Sequence, residues 1–185
     1  MSSNTTESSS KIPLARYLPS KLAIIGVGLA IVWFVTSLGG GSLLEIGAVA
    51  PSWKLREPNS NKRYLSLEQL KGKVVVVDFW SLGCPPCMKM VAELNTVAKD
   101  FENRQVAVVG ISAWGESKID VFRLKQKRNL SYHLLVGSSE VVTAYKVDAL
   151  PTLYILDKEG KIAHRHQGFM SREALKEAVL SVLGE

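Results

Sequence analysis

The chain has 185 residues, of which 46% are hydrophobic and 22% charged, and this composition suits one globular domain with an additional apolar segment. The formal net charge is +6; residues 1–21 contribute +2 of it, and the remaining +4 is spread among interleaved acidic residues. Because no dense basic stripe with interleaved aromatic residues results, the composition argues against a nucleic-acid-binding protein. The densest basic cluster (Arg123, Lys125, Lys127 and Arg128) is typical of a solvent-exposed helix face.

The first predicted element is an apolar segment, Leu22 to Leu44, which contains no charged residue. Its densest part ends at Leu38 and is about 17 residues long, the lower limit for a helix that crosses a bilayer. A cleaved signal peptide is the alternative, since Ala48-Val49-Ala50 has the small residues of a cleavage site. Pro51 directly follows that site, which lies far beyond the apolar core, so we favour a retained single-pass anchor.

The charges that flank the anchor predict its orientation. Three basic residues precede it, whereas none follows it until Lys54, and positive charge marks the cytoplasmic side of a membrane. The predicted organisation is a cytoplasmic disordered tail (1–21), a transmembrane anchor with a Gly-rich linker (22–44) and one extracytoplasmic domain (45–185).

The predicted domain alternates strand and helix patterns. Lys73 to Trp80 is an apolar, valine-rich run typical of a strand buried on both faces, and apolar residues at helical spacing follow it from Met88 to Phe101. The later predicted elements are a strand at Val106–Ile111, a helix at Ser117–Arg128, a strand at His133–Val136, a helix at Ser139–Tyr145, a hairpin of Thr152–Leu156 and Lys161–His166, and a helix from about Ser171. In the helix Ser117–Arg128 we expect Ile119 and Phe122 to face the core, with Val121 as a third candidate. This order predicts an α/β sandwich with a mixed sheet.

Cys84 and Cys87 are the only cysteines of the chain, and they lie between the buried strand and the helix that follows it. The start of a helix stabilises a thiolate at Cys84, because unpaired N–H groups and the positive end of the dipole meet there. Pro85 and Pro86 fit a first helical turn, where a missing N–H costs little. Cys87 then lies one turn further in. The pattern favours a redox pair of an exposed attacking cysteine and a shielded resolving cysteine.

Two other uses of these cysteines are weaker alternatives. A purely structural disulfide that closes so short a loop would constrain the unfolded chain little. A structural zinc site needs about four ligands, and the three histidines His133, His164 and His166 fit polar strand positions better than ligand positions. We therefore predict no metal and no cofactor.

Two residues outside the cysteine motif complete the predicted site. Asp78 interrupts the apolar strand, where a buried carboxylate is costly unless it stays protonated or finds a partner. Such an acid near a dithiol is a candidate proton acceptor for Cys87, and the alternative is a strand-edge Asp that faces solvent. Leu150-Pro151-Thr152 predicts a tight turn before a strand, and the sequence leaves open whether its peptide bond is cis or trans.

In combination these motifs resemble the thioredoxin superfamily, specifically its membrane-anchored TlpA/ResA-like branch. The likeness spans about Ala50 to Leu183, and residues 112–147 resemble the insertion of that branch. The motifs that carry it are Ala50-Pro51-Ser52-Trp53, Leu67 to Lys73, Asp78-Phe79-Trp80, Cys84-Pro85-Pro86-Cys87, Leu150-Pro151-Thr152 and Asp157 to Lys161. The resemblance implies a thioredoxin-like fold, a central mixed sheet flanked by helices.

The resemblance also implies a thiol–disulfide oxidoreductase that faces outward from a bacterial inner membrane and needs no cofactor. Cys84 would attack a substrate disulfide, Cys87 would resolve the mixed disulfide, and Pro151 would be a cis-proline that accepts the substrate backbone. The residues implied to contact substrate are Pro151, Leu150, Trp80, Gly83, Pro85 and Pro86. Its partners would be oxidised client proteins of cytochrome c or metalloprotein maturation, and a membrane electron donor of the DsbD/CcdA type.

Three positions depart from the pattern of that branch. Gly83 stands where the branch usually has Trp, Met90 where it commonly has Glu, and Ala92 where it has a helix-kinking proline. Asp78 is present where many of its members carry Asn, so we expect proton handling to depend on Asp78. Net oxidation or isomerisation of client thiols remains an alternative function. So does a copper-binding assembly chaperone, although such proteins usually show a wider cysteine spacing and a dedicated histidine.

Overall fold

The computed structural model describes residues 43–58 and 63–185. The predicted tail and almost all of the predicted membrane anchor lie outside these residues. Within the described part of the chain, no helix has the length and apolar character needed to cross a bilayer. The N-terminal transmembrane helix therefore stays a prediction.

The described residues form one mixed sheet of seven strands, flanked by four α-helices. The strands are β1 (Lys54–Arg56), β2 (Tyr64–Ser66), β3 (Val74–Trp80), β4 (Val106–Ser112), β5 (His133–Val136), β6 (Thr152–Leu156) and β7 (Ile162–Gln167). The helices are α1 (Pro85–Asp100), α2 (Lys118–Lys127), α3 (Ser139–Ala144) and α4 (Arg172–Leu183), and a short 3-10 helix spans Leu67–Leu70. The order across the sheet is β2-β1-β5-β4-β3-β6-β7. The predicted mixed α/β architecture is confirmed.

Strand β3 lies inside the sheet, parallel to β4 and antiparallel to β6, and all seven of its residues are buried. Because side chains alternate along a strand, β3 contributes to two cores. Val76 and Trp80 face a core formed with α1, α2 and α4. Val77 and Phe79 face the opposite core, which includes Tyr145. The prediction of a strand buried on both faces is confirmed.

Serine side chains begin two of the helices. Ser117 Oγ accepts a hydrogen bond from the Asp120 N–H at 3.2 Å, and Ser171 Oγ accepts one from the Ala174 N–H at 3.4 Å. Such caps satisfy N–H groups that the first turn of a helix leaves unpaired. The predicted start of the last helix at Ser171 is confirmed.

The predicted orientation of α2 is wrong for two residues. Ile119 is 60% exposed and Phe122 is 37% exposed, whereas Val121 and Leu124 are buried in the core. The helix carries two apolar pairs at a spacing of three residues, and either pair could face inward. Contact with the sheet selects Val121 and Leu124, so two large apolar side chains remain at the surface.

Candidate active site

The two cysteines join the end of β3 to the start of α1 and form a disulfide, with Cα atoms 5.2 Å apart. Cys84 is the N-cap residue of α1 and has an extended backbone. Its Sγ accepts a hydrogen bond from the Cys87 N–H at 3.2 Å, and its own N–H donates to the Ser81 carbonyl at 3.3 Å. Pro85 and Pro86 occupy the first helical positions, where no N–H partner is needed. The predicted position of the two cysteines at the start of a helix is confirmed.

The two sulfur-bearing residues differ in exposure. Cys84 is 7% exposed and Cys87 is 0% exposed. Cys84 therefore lies largely below the surface, contrary to the predicted exposed position, but it is the more accessible of the two residues. This asymmetry suits one attacking and one resolving cysteine.

Asp78 lies on the same face of β3 as Val76 and Trp80, toward the core that contains both cysteines. It is fully buried, and neither carboxylate oxygen has a hydrogen-bond partner among the described residues. Burial raises the pKa of Asp78 from 3.8 to about 8, because the charged form loses its hydration. The predicted burial of Asp78 is confirmed, and the alternative of a solvent-facing carboxylate is excluded. Its role in proton transfer stays a prediction.

Two further buried polar groups lie on this side of the sheet. Trp80 Nε1 and Tyr132 Oη have no hydrogen-bond partner among the described residues. Both side chains approach Gly110, which pairs with Asp78 in the register of β3 and β4. A Cβ at Gly110 would lie 3.1 Å from Trp80 Nε1 and 3.2 Å from Tyr132 Cε2. The Leu134 side chain comes closer still, at 2.7 Å, so the absence of a side chain at Gly110 leaves space that the side chains of Leu134, Trp80 and Tyr132 fill.

Tyr132 is a residue that the sequence analysis missed. Burial raises the pKa of its hydroxyl well above the usual value, and the charge of Asp78 raises this pKa further. Tyr132 and Asp78 are therefore electrostatically coupled. The one available signal was Gly110 within a strand, since such a glycine often marks the close approach of another group.

Pro151 follows a cis peptide bond, which answers the question that the sequence left open. Phe79 pairs with Thr152, so Pro151 lies beside the carboxyl end of β3, the end from which the Cys84 loop emerges. The Pro151 carbonyl accepts a hydrogen bond from the Gly168 N–H at 2.8 Å. Leu150 is partly buried and packs against both cores.

The surface around the cysteines is formed by the loop Ser81–Gly83 and the first turn of α1. Gly83, Pro85 and Pro86 are exposed, and a Cβ at Gly83 would meet nothing within 4 Å. A larger side chain would fit at Gly83, so its absence leaves this side of Cys84 bare. The prediction that Trp80 contacts substrate is wrong. Trp80 is fully buried beneath α1, so its side chain cannot contact a client protein in this structure.

Two of the departures from the branch pattern lie on different sides of α1. Met90 is fully buried in the core, whereas Ala92 is exposed. The position where the branch commonly has Glu therefore faces the interior and carries an apolar side chain.

Glu116 ties the Cys84 loop to the loop between β4 and α2, and the sequence analysis missed it as well. Its Oε1 accepts a hydrogen bond from the Leu82 N–H at 3.0 Å, and its Oε2 accepts one from the Trp114 N–H at 3.2 Å. One carboxylate thus holds the backbone of both loops. No local sequence pattern predicts the contact between Glu116 and Leu82, because the two residues are 34 positions apart.

The three histidines lie on strands β5 and β7. His164 and His166 share one face of β7, which ends the sheet, and His133 Nδ1 is 3.5 Å from Glu57 Oε1. Across residues 43–58 and 63–185, no group of three or more potential ligand side chains could hold a metal ion.

The chain is similar to known proteins in both sequence and structure. The model of the AhpC/TSA family matches residues 46–165. The thiol-disulfide oxidoreductase ResA of Bacillus subtilis is 29% identical over 137 residues, which are 74% of this chain and 75% of the relative. The ResA of Halalkalibacterium halodurans is 26% identical over 159 residues, or 85% of this chain and 89% of the relative. A putative thiol:disulfide interchange protein DsbE from Chlorobium tepidum superposes with a TM-score of 0.68 at 24% identity, and covers 76% of this chain and 99% of that protein.

Proposed function

We propose that this chain, which belongs to the AhpC/TSA family and is a thiol–disulfide oxidoreductase of the ResA-like, thioredoxin-like type, reduces disulfides in extracytoplasmic client proteins. The observation that carries the proposal is the unequal exposure of Cys84 and Cys87 at the start of α1. The two cysteines of a purely structural disulfide need not differ in exposure, whereas an attacking cysteine must be more accessible than the resolving one.

The reaction follows from the position of the two sulfurs. In the reduced protein, the Cys84 thiolate attacks one sulfur of a client disulfide, and the other client sulfur leaves as a thiolate. Cys87 then loses its proton and attacks Cys84 Sγ, which releases the second client thiolate. Two electrons pass to the client, and the protein is left with the Cys84–Cys87 disulfide.

Asp78 is the proposed acceptor of the Cys87 proton. It lies on the same side of β3 as Cys87, in the core that also contains Tyr132. With a pKa raised to about 8, the carboxyl group is mostly protonated at pH 6 and mostly ionised at pH 9. The resolving step should therefore accelerate as the pH rises toward 8.

The variant Asp78→Asn tests this role. It should resolve mixed disulfides more slowly than the wild type above pH 8, and it should lose the acceleration between pH 6 and 8. A rate that matches the wild type at every pH would show that Asp78 takes no proton in this step.

The proposed location and partners rest on the sequence. The uncharged segment Leu22–Leu44 and the basic residues before it support an anchor in a bacterial inner membrane, with the domain on the extracytoplasmic side. The oxidised protein would be recharged by a membrane electron donor of the DsbD/CcdA type. Clients of cytochrome c or metalloprotein maturation suit a reductase in this compartment.

Trapping tests the proposed reaction directly. Cys87→Ser should accumulate a mixed disulfide between Cys84 and its client in cells, and a thiol reagent should release that client for identification. Cys84→Ser is the matched control and should trap nothing. Equal trapping by both variants would contradict the assignment of Cys84 as the attacking residue.

The reduction potential decides the direction of the reaction. A value near about −270 mV, as in thioredoxin, would support a reductase, whereas a value near about −120 mV, as in DsbA, would indicate an oxidase. Equilibration of the Cys84–Cys87 disulfide with glutathione buffers gives this potential.

A further inference from the structure

We propose that an open groove between the Cys84 loop and α2 binds an acidic, apolar segment of the client protein whose disulfide Cys84 attacks. The inference rests on the proposed function and adds the chemical class of the client surface. The groove has a volume of about 710 Å³, and its apolar lining is formed by Leu82, Met88, Phe122 and Leu124. It is called the α2 groove below.

The α2 groove begins beside the redox pair. Leu82 precedes Cys84 by two residues, and Met88 directly follows Cys87 in α1. Pro151 precedes β6, on the other side of β3 from β4 and β5. A client held in the α2 groove would therefore approach Cys84 from the side opposite to Pro151.

Two of the apolar residues that line this groove, Leu82 and Phe122, are exposed. Among the described residues, eight large hydrophobic side chains are exposed, and Leu82, Trp114, Ile119 and Phe122 are four of them. Ile119 and Phe122 are one turn apart on α2, while Glu116 holds the backbone of Trp114 next to that of Leu82. Several exposed large apolar side chains in one region of a protein surface are typical of an interaction site.

Basic side chains border the same groove. Arg123, Lys127 and Arg128 line it together with a single acidic residue, Asp120. Asp120 Oδ1 is 3.7 Å from Arg123 Nη1, so this carboxylate is already engaged. Within the described part of the chain, neither Lys127 nor Arg128 forms an ion pair. The rim therefore keeps an excess of positive charge, which carboxylates of a client would complement.

Single-turnover reduction of two synthetic peptides tests the inference. Both peptides contain one internal disulfide followed by the same leucines; one carries glutamates beside them and the other carries lysines. The full-length chain is first reduced, so no electron donor is needed. At low ionic strength it should reduce the acidic peptide about tenfold faster than the basic one, the effect expected for two exposed ion pairs. Added salt should remove this preference.

Two variants and a matched control locate the effect. Lys127→Gln/Arg128→Gln should lose most of the preference for the acidic peptide. Phe122→Ser should slow the reduction of both peptides. Lys158→Gln/Lys161→Gln removes two exposed charges from the β6–β7 turn, near the opposite end of β3, and should behave as the wild type does. All forms should reduce the small uncharged bis(2-hydroxyethyl) disulfide equally well.

The outcomes separate this inference from the proposed function. Equal rates for both peptides, together with normal reduction of the small disulfide, would overturn the groove assignment and leave the reductase in place. A preference that survives in Lys127→Gln/Arg128→Gln would also overturn the assignment. Failure to reduce any of the three disulfides would overturn both proposals.

Discussion

Replacing Asp78 by Asn should slow the reaction, and the stability of the variant relative to that of the wild type should rise with pH. The folded protein holds the Asp78 proton up to a pKa of about 8, whereas the unfolded chain releases it near 3.8. Between these two values the folded state binds one proton more than the unfolded state does. The stability of the wild type therefore falls as the pH rises through this interval, and it is not regained above pH 8. The asparagine of the variant has no ionisable group, so this loss is absent from it.

The size of the effect follows from the pKa difference. Each pKa unit corresponds to about 1.4 kcal/mol, so the stability advantage of Asp78→Asn should increase by on the order of 4 kcal/mol between pH 5 and pH 8. The buried amide will itself lack hydrogen-bond partners, which costs roughly 1–3 kcal/mol at every pH. That cost moves the whole curve without changing its slope, so the slope is the quantity to measure.

Urea-induced unfolding of the oxidised protein at pH 5, 6, 7 and 8 measures this slope. The disulfide keeps Cys84 and Cys87 from titrating, and the contributions of other ionisable groups cancel when the variant is compared with the wild type. If the difference between the two proteins changes by less than about 1 kcal/mol over this range, Asp78 is not held protonated by burial, and the reasoning from its buried position is wrong.

Three further substitutions test other parts of the structure. Glu116→Ala should cost about 1 kcal/mol and speed hydrogen exchange of the Leu82 amide, because two backbone N–H groups lose their acceptor; unchanged exchange would contradict the tie between the two loops. Gly137 directly follows β5, and a Cβ there would overlap the Ser112 carbonyl oxygen, so Gly137→Ala should destabilise the protein by more than about 3 kcal/mol in thermal unfolding; a loss below about 1 kcal/mol would mean that this backbone yields easily. Tyr132→Phe removes a buried hydroxyl without a partner and should leave stability unchanged or raise it by about 1 kcal/mol, whereas a clear loss would reveal a hydrogen bond that the structure does not contain.

The central strand and the redox motif could be predicted because their signals are local. The apolar, valine-rich run of β3 has few alternatives to a buried strand, and Cys84 with two prolines after it fits a helix start and little else. The same holds for Ser171 at the start of α4, where one side chain decides the cap. In each case the residues that determine the structure are neighbours in the sequence.

The remaining features depend on contacts between distant parts of the chain. The side of α2 that faces inward could not be read, because Ile119 with Phe122 and Val121 with Leu124 form equally good apolar pairs. Tyr132 was missed because only the folded sheet brings it close to Gly110 and so to Asp78. Such relations follow from packing and leave no local pattern.

The sulfur of Cys84 has two tasks, since the atom proposed to attack the client also caps α1 by accepting the Cys87 N–H. The reaction at this sulfur and the capping of the helix are therefore linked. In each turnover the atom that accepts the Cys87 N–H changes its covalent partner. Any inert replacement of Cys84 must be judged on both counts, and serine is better than alanine, because a hydroxyl keeps a cap that a methyl group abolishes. The amide proton of Cys87 is in turn a built-in reporter, whose exchange with solvent would record the redox state of its neighbour without any label.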